Sequence, residues 1–205
     1  MAGTYGGSTY LLPPGGSTAA TLPSMGFWVT SRSPDGYLFG GSGGGGVWRS
    51  ANGGSTWVNA GGIPDRDFRS LACLGGGIVL AGNQNGRLWR STNSGESWAK
   101  ILDDGSNCRC MCVTPEGYIY LGHREEYQVA GYIWKSVDGG ATWSELKSAG
   151  KALWESCCSD DEGGVYFVTE YGFPIASLDG GGHVGDMQPG WLQVLACVRA
   201  PAAVG

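Results

Sequence analysis

Imidazole is scarce in this chain: two histidines, His123 and His183, occur in 205 residues. Neither adjoins a serine or cysteine in a nucleophile motif, so the commonest route to hydrolysis by an activated side chain has no visible basis. Basic residues are few and scattered. Thirteen Lys and Arg stand against 18 Asp and Glu, a formal net charge of −5, and the positive stripe that marks a nucleic-acid binder is missing. No apolar run of about 18 residues is present to cross a bilayer as a helix. After Met1 the segment AGTYGGSTYLLPPGGST has neither the basic nor the apolar region of an export signal. These absences lead us to expect synthesis in the cytosol without export, and no nucleic-acid or membrane partner.

Cysteine is present in an odd number, seven, which without an export signal reads as reduced thiols. Cys108, Cys110 and Cys112 alternate, so on a strand all three are expected on one face. Zinc sites favour two-residue gaps, and we expect no metal and no other cofactor.

What the sequence has in abundance is glycine, 39 residues, together with 9 Trp, 9 Tyr and 5 Phe. Disordered Gly-rich chains lack such aromatic content, so the glycines read as turns in one folded domain. An octapeptide recurs: SANGGSTW from Ser50 to Trp57, STNSGESW from Ser91 to Trp98 and SVDGGATW from Ser136 to Trp143. Its third positions, Asn52, Asn93 and Asp138, are 41 and 45 residues apart, and a decayed copy beginning Ser177, with Asp179 in register, follows after another 41. That period suits four-stranded propeller blades. GVWRS, RLWRS and YIWKS lead into the boxes. GYLFGG, GIVLAG, GYIYLG and GVYFVT precede those, and FWVTSR, RSLACL, CRCMCV and WESCCS lie further upstream. With TWVNA or SWAKIL after the box, each unit supplies four strands.

Within the box, Asn or Asp can bond the backbone ahead of it, and Gly54, Gly95 and Gly140 suit a tight turn. Trp57, Trp98 and Trp143 then open the next strand, where a large ring can fill the wedge between blades. The pattern resembles the Asp-box of the BNR repeat, shared by sialidases, xyloglucan hydrolases, sortilin-type receptors, photosystem assembly factors, lectins and phage proteins. This resemblance covers residues 27 to 185 and implies an all-β fold, a β-propeller of four-stranded antiparallel blades. Four blades are recognisable. A partial fifth is expected from the termini, because TYGGSTY (4–10) resembles a box and WLQVLACV (191–198) a first blade strand. The run from Asp179 to the end and round to Tyr5 is shorter than the period, so a neighbouring chain is expected to complete that blade. Residues 1–24 read as a strand and a Pro/Gly/Ser-rich arm, and 25–205 as the propeller domain.

The resemblance names several chemistries, and the residues decide among them. The sialidase arginine motif is absent, although Arg66, Arg69 and Arg124 are present. Carboxylates at Asp65, Asp67, Asp103, Asp104, Asp160, Asp161 and Glu162 fall between strands, where solubility alone explains them. No catalytic residue is assigned, and the chain is expected to be no enzyme. The reading is a structural or assembly subunit that associates with itself or a protein partner, one option being a phage-like particle within a virion. A carbohydrate-binding module is the alternative and a glycoside hydrolase the remoter one. An enlarged connection in the third blade, with His123, Arg124, Glu125, Glu126 and Tyr127, is the candidate recognition loop.

Overall fold

The computed structural model describes residues 10–11, 20–21, 26–124, 131–148, 154–169, 174–177 and 185–186, with side chains for 26–124, 131–146 and 154–168. A short pair comes first, β1 (Tyr10–Leu11) against β2 (Ala20–Thr21). Four sheets follow. Blade one holds β3 (Phe27–Arg32), β4 (Leu38–Ser42), β5 (Gly46–Ser50) and β6 (Val58–Asn59). Blade two holds β7 (Phe68–Cys73), β8 (Val79–Asn83), β9 (Arg87–Ser91) and β10 (Ala99–Asp103). Blade three holds β11 (Asn107–Val113), β12 (Ile119–Arg124), β13 (Gly131–Ser136) and β14 (Ser144–Ser148). Blade four holds β15 (Trp154–Ser159), β16 (Val165–Thr169), β17 (Pro174–Ser177) and β18 (Gly185–Asp186). Each of these four sheets is four-stranded, antiparallel and in sequence order, the all-β propeller architecture that the repeat predicts.

The first strands of successive blades, β3, β7, β11 and β15, pack side by side along the inner edge. Alternate residues of a strand face opposite sides, and each middle blade is covered on both sides, so both sets are apolar. Phe39 and Val47 of blade one meet Phe68, Val79 and Ala81 of blade two. Ala72, Leu80 and Leu88 of blade two meet Cys108, Ile119 and Leu121 of blade three. Tyr120 and Ile133 of blade three then meet Trp154, Val165 and Phe167 of blade four. Each fully buried side chain of this size contributes about 1.5–3 kcal/mol.

The structure corrects the cysteine reading. Cys108 faces blade two, whereas Cys110 and Cys112 face blade four, because β11 bulges between Cys108 and Cys110. One extra residue reverses the alternation. Cys73, Cys108, Cys110, Cys112 and Cys157 are free thiols, but Cys158 is disulfide-bonded, so the thiols are not all reduced. Cys158 sits next to Cys157 on β15 and so lies on the opposite face of the strand, away from the thiols of blade three. Of the fifth blade expected at the termini, 4–9 and 191–198 lie outside the described residues. Tyr10 pairs locally with Thr21.

Candidate functional site

The blades present two ends. At one, the octapeptides form near-identical clamps. Ser50, Ser91 and Ser136 are buried, and each hydroxyl donates to the side chain two residues on: Asn52 Oδ1 at 3.0 Å, Asn93 Oδ1 at 2.9 Å and Asp138 Oδ1 at 2.8 Å. The same hydroxyls accept the N–H of Gly54, Gly95 and Gly140, each at 2.9 Å. Asn52, Asn93 and Asp138 then accept the N–H of residues 56, 97 and 142, again at 2.9 Å. Trp57, Trp98 and Trp143 are half-buried; Trp57 and Trp143 donate to the carbonyls of Gly54 and Gly140. The side chain of Ser177 and all of Asp179 lie outside the described residues.

These clamps also lock blade to blade. Gly95, at φ +79°, sits so close to Phe39 that a Cβ would lie 2.9 Å from its ring, and Gly140 stands in the same relation to Leu80. Arg49 donates to Ser94 O at 2.7 Å and Arg90 to Gly139 O at 2.8 Å. The basic residue before the box serine is therefore an inter-blade tie in blades one and two, whereas Lys135 of blade three lies over the Tyr118 and Tyr120 rings of its own blade.

The opposite end is built differently. The first pairing of every blade breaks register at one residue, between Phe27 and Val29, Phe68 and Ser70, Cys108 and Cys110, and Trp154 and Ser156. A bulge releases that residue from the pleat and re-aims its side chain. The four equivalent positions carry Trp28, Arg69, Arg109 and Glu155, at the inner mouth of the arc. The Arg69 guanidinium stacks 3.8 Å from the centre of the Trp28 ring and donates to Gln84; Arg109 is paired with Glu155. Gly43 makes room for Trp28, since a Cβ there would lie 2.3 Å from the ring.

Carboxylates around this mouth are held by donors and cations. Asp65 takes Arg87 at 2.6 Å and the Trp89 indole N–H at 2.7 Å. Asp103 takes Arg87 at 3.1 Å and Lys100, and these two cations hold it below the usual carboxylate range. Burial raises the pKa of Asp104, but His123 and the Ser106 N–H more than offset that and leave it lowered. Asp103 and Asp104 are therefore bases at neutral pH, unlike the protonated carboxyl needed to protonate a glycosidic leaving group. Among the buried polar atoms at this end, Asn83 Nδ2, Asn107 Oδ1 and Arg124 Nε have no hydrogen-bond partner among the described residues. Such groups mark places where a solvent or ligand partner fits.

The proposed recognition loop needs correcting in part. His123 belongs to β12, paired with Cys108 and Tyr132, and is 1% exposed. Its ring lies 5.6 Å from that of Trp134, and its Nε2 is 3.2 Å from Asp104 Oδ1, within ion-pair distance but off hydrogen-bond geometry. Strand pairing carries it into the core. Arg124 ends the same strand, and Glu125, Glu126 and Tyr127 lie outside the described residues. Among the described residues no group of three or more His, Cys, Asp and Glu is placed to hold a metal ion.

No family model matches the chain, and no curated protein matches it. Solved structures do. A GH74 xyloglucanase from Xanthomonas campestris superposes with TM-score 0.64 at 19% identity, over 84% of this chain and 32% of the other. YCF48 bound to D1 peptide gives 0.59 at 16% identity, over 83% and 58%. A nidogen/laminin complex gives 0.64 at 13% identity, over 83% and 68%. The chain spans about a third of the length of the xyloglucanase. At these identities the likeness is one of fold.

Proposed function

We propose that the chain is a non-enzymatic binding module that takes a segment of a protein partner at the bulged mouth. The observation that carries this reading is the set Trp28, Arg69, Arg109 and Glu155, one from each blade at the same structural position. Aromatic and arginine side chains dominate protein-binding hot spots, and rigid inner strands hold these ones in place. The carboxylate pairing argues in the same direction, because Asp65, Asp103 and Glu155 each lie against an arginine. Two of the similar folds are complexes with a peptide or a protein. None of these observations supports a place in a phage-like particle.

The Trp28 ring together with the likeness to xyloglucanases favours a second reading, a glycan-binding mouth. One experiment separates the two. The intact chain is probed on an array of acidic and neutral peptides and, in parallel, with xyloglucan oligosaccharides. Retention of peptides that Arg69→Ala and Arg109→Ala abolish supports the protein-binding reading. Hydrolysis of xyloglucan, or peptide retention indifferent to both substitutions, overturns it.

A further inference from the structure

Two Asn-Gly dipeptides lie on turns at opposite ends of the blades, Asn52–Gly53 in the first box, with both residues exposed, and Asn85–Gly86 between β8 and β9, with Asn85 exposed and Gly86 buried. Asparagine followed by glycine is the pair most open to attack by its own backbone, because the next nitrogen carries no side chain on its Cα to hinder approach. We infer that Asn85 is a self-modification site at which the side-chain amide is lost to deamidation, while Asn52 is protected by its clamp.

Their surroundings set the two asparagines apart. In the box, Asn52 Oδ1 accepts from Ser50 Oγ at 3.0 Å and from Thr56 N at 2.9 Å, and Nδ2 donates to Thr56 Oγ1 at 2.9 Å. Every polar atom of that amide is tied, so rotating its carbonyl carbon toward the following nitrogen breaks hydrogen bonds first. Asn85 is exposed, and among the described residues its side chain has no hydrogen-bond partner. Its backbone N–H is fixed instead, by Asn83 Oδ1 at 3.0 Å.

The chemistry balances without a catalyst or oxidant. The Gly86 nitrogen attacks Asn85 Cγ, the N–Cγ bond forms, the Cγ–Nδ2 bond breaks, and the amide group leaves as ammonia with the proton that the Gly86 nitrogen gives up. Water then opens the five-membered imide at one of its two carbonyls, giving aspartate or isoaspartate. Either product adds a negative charge to the rim of the mouth, next to Gln84, the partner of Arg69. Isoaspartate also lengthens the backbone beside Gly86, where space is short: a Cβ on Gly86 would lie 2.2 Å from Ser106 N. The strand-to-strand turn therefore ages into a more acidic and more loosely packed form. At the box, by contrast, the acid is already accommodated, since Asp138 holds the same clamp in blade three.

The test is storage of the intact folded chain at mildly alkaline pH, with peptide mapping by mass spectrometry and enzymatic isoaspartate labelling over time. A parallel sample is kept in denaturant. In the folded chain, conversion at Asn52 is expected to be at least about tenfold slower than at Asn85, from the hydrogen bonds that must open. In denaturant the two sites are expected to convert at similar rates, and Asn85→Gln removes the mass shift from its own peptide alone. Equal conversion in the folded chain overturns the proposal, as does an unreactive Asn85 in the folded state. Persistence of the difference in denaturant overturns it too, because sequence rather than the clamp would then be its source.

Discussion

The two ends of each blade are made by the same strands and follow opposite rules. At the box end, Ser50, Ser91 and Ser136 make the same bonds at nearly the same distances in three blades. At the mouth, the equivalent bulged position is Trp, Arg, Arg and Glu in turn. Repetition at one end holds adjacent blades in register; variation at the other gives the inner edge a composite chemical surface. A repeat protein can vary the second freely only because the first is fixed.

Breaking the seam between blades should produce the largest effect. Leu80 is fully buried and backs onto Gly140 of the next blade, so Leu80→Ala is expected to cost about 2–5 kcal/mol, read by denaturant unfolding. Ser91→Ala comes next. It leaves the Gly95 N–H unpaired in a buried turn and removes a donor from Asn93, for about 1–3 kcal/mol. A loss within error for Ser91→Ala would mean that the clamp follows from the fold and does not hold it. At the other end, Arg109→Ala removes a partly exposed pair with Glu155, and unfolding is expected to shift by no more than about 1 kcal/mol. If Arg109→Ala destabilised the chain as much as Leu80→Ala, the division between a structural and a functional end would fail.

Legibility in the sequence follows the same division. The segments FWVTSR, GVWRS, RLWRS and WESCCS are strands with the expected bounds, because period, aromatic content and box register all agree there. The bulges were not legible. They are a one-residue slip in pairing, and the residue that slips is Trp, Arg, Arg and Glu in successive blades, so no one letter marks it in all four. Cys108, Cys110 and Cys112 show the consequence: their spacing reads as one face, and the slip at Arg109 divides them between two interfaces. His123 was misread for a related reason, since a polar residue beside Arg124 and two glutamates looks like loop until strand pairing carries it inward. Arg49 and Arg90 were visible in the sequence, but only contact with the following blade reveals what they tie.

The smallest expected effect tests whether the three clamps are equivalent in energy as well as in shape. Two carry an amide and one a carboxylate. Asp138 receives the Thr142 hydroxyl and N–H, then the Ser136 hydroxyl and the Ala141 N–H, and these bonds hold it well below the usual carboxylate range. Its folded pKa lies below its unfolded value of about 3.9, so its contribution is complete above that pH and is lost as pH falls toward the folded value. Asn52 and Asn93 cannot titrate, and their Nδ2 groups donate to the hydroxyls of Thr56 and Ser97 in its place. Asp138→Asn should therefore fold with the same turn at neutral pH and lose less stability than the parent between about pH 5 and the acid limit. Other carboxylates, Asp103 and Asp104 among them, are common to both proteins and cancel in the difference. The measurement is the thermal midpoint of each protein across that range. Parallel curves would show that the charge at Asp138 does nothing an amide does not, and that the third clamp differs from the others in sequence only.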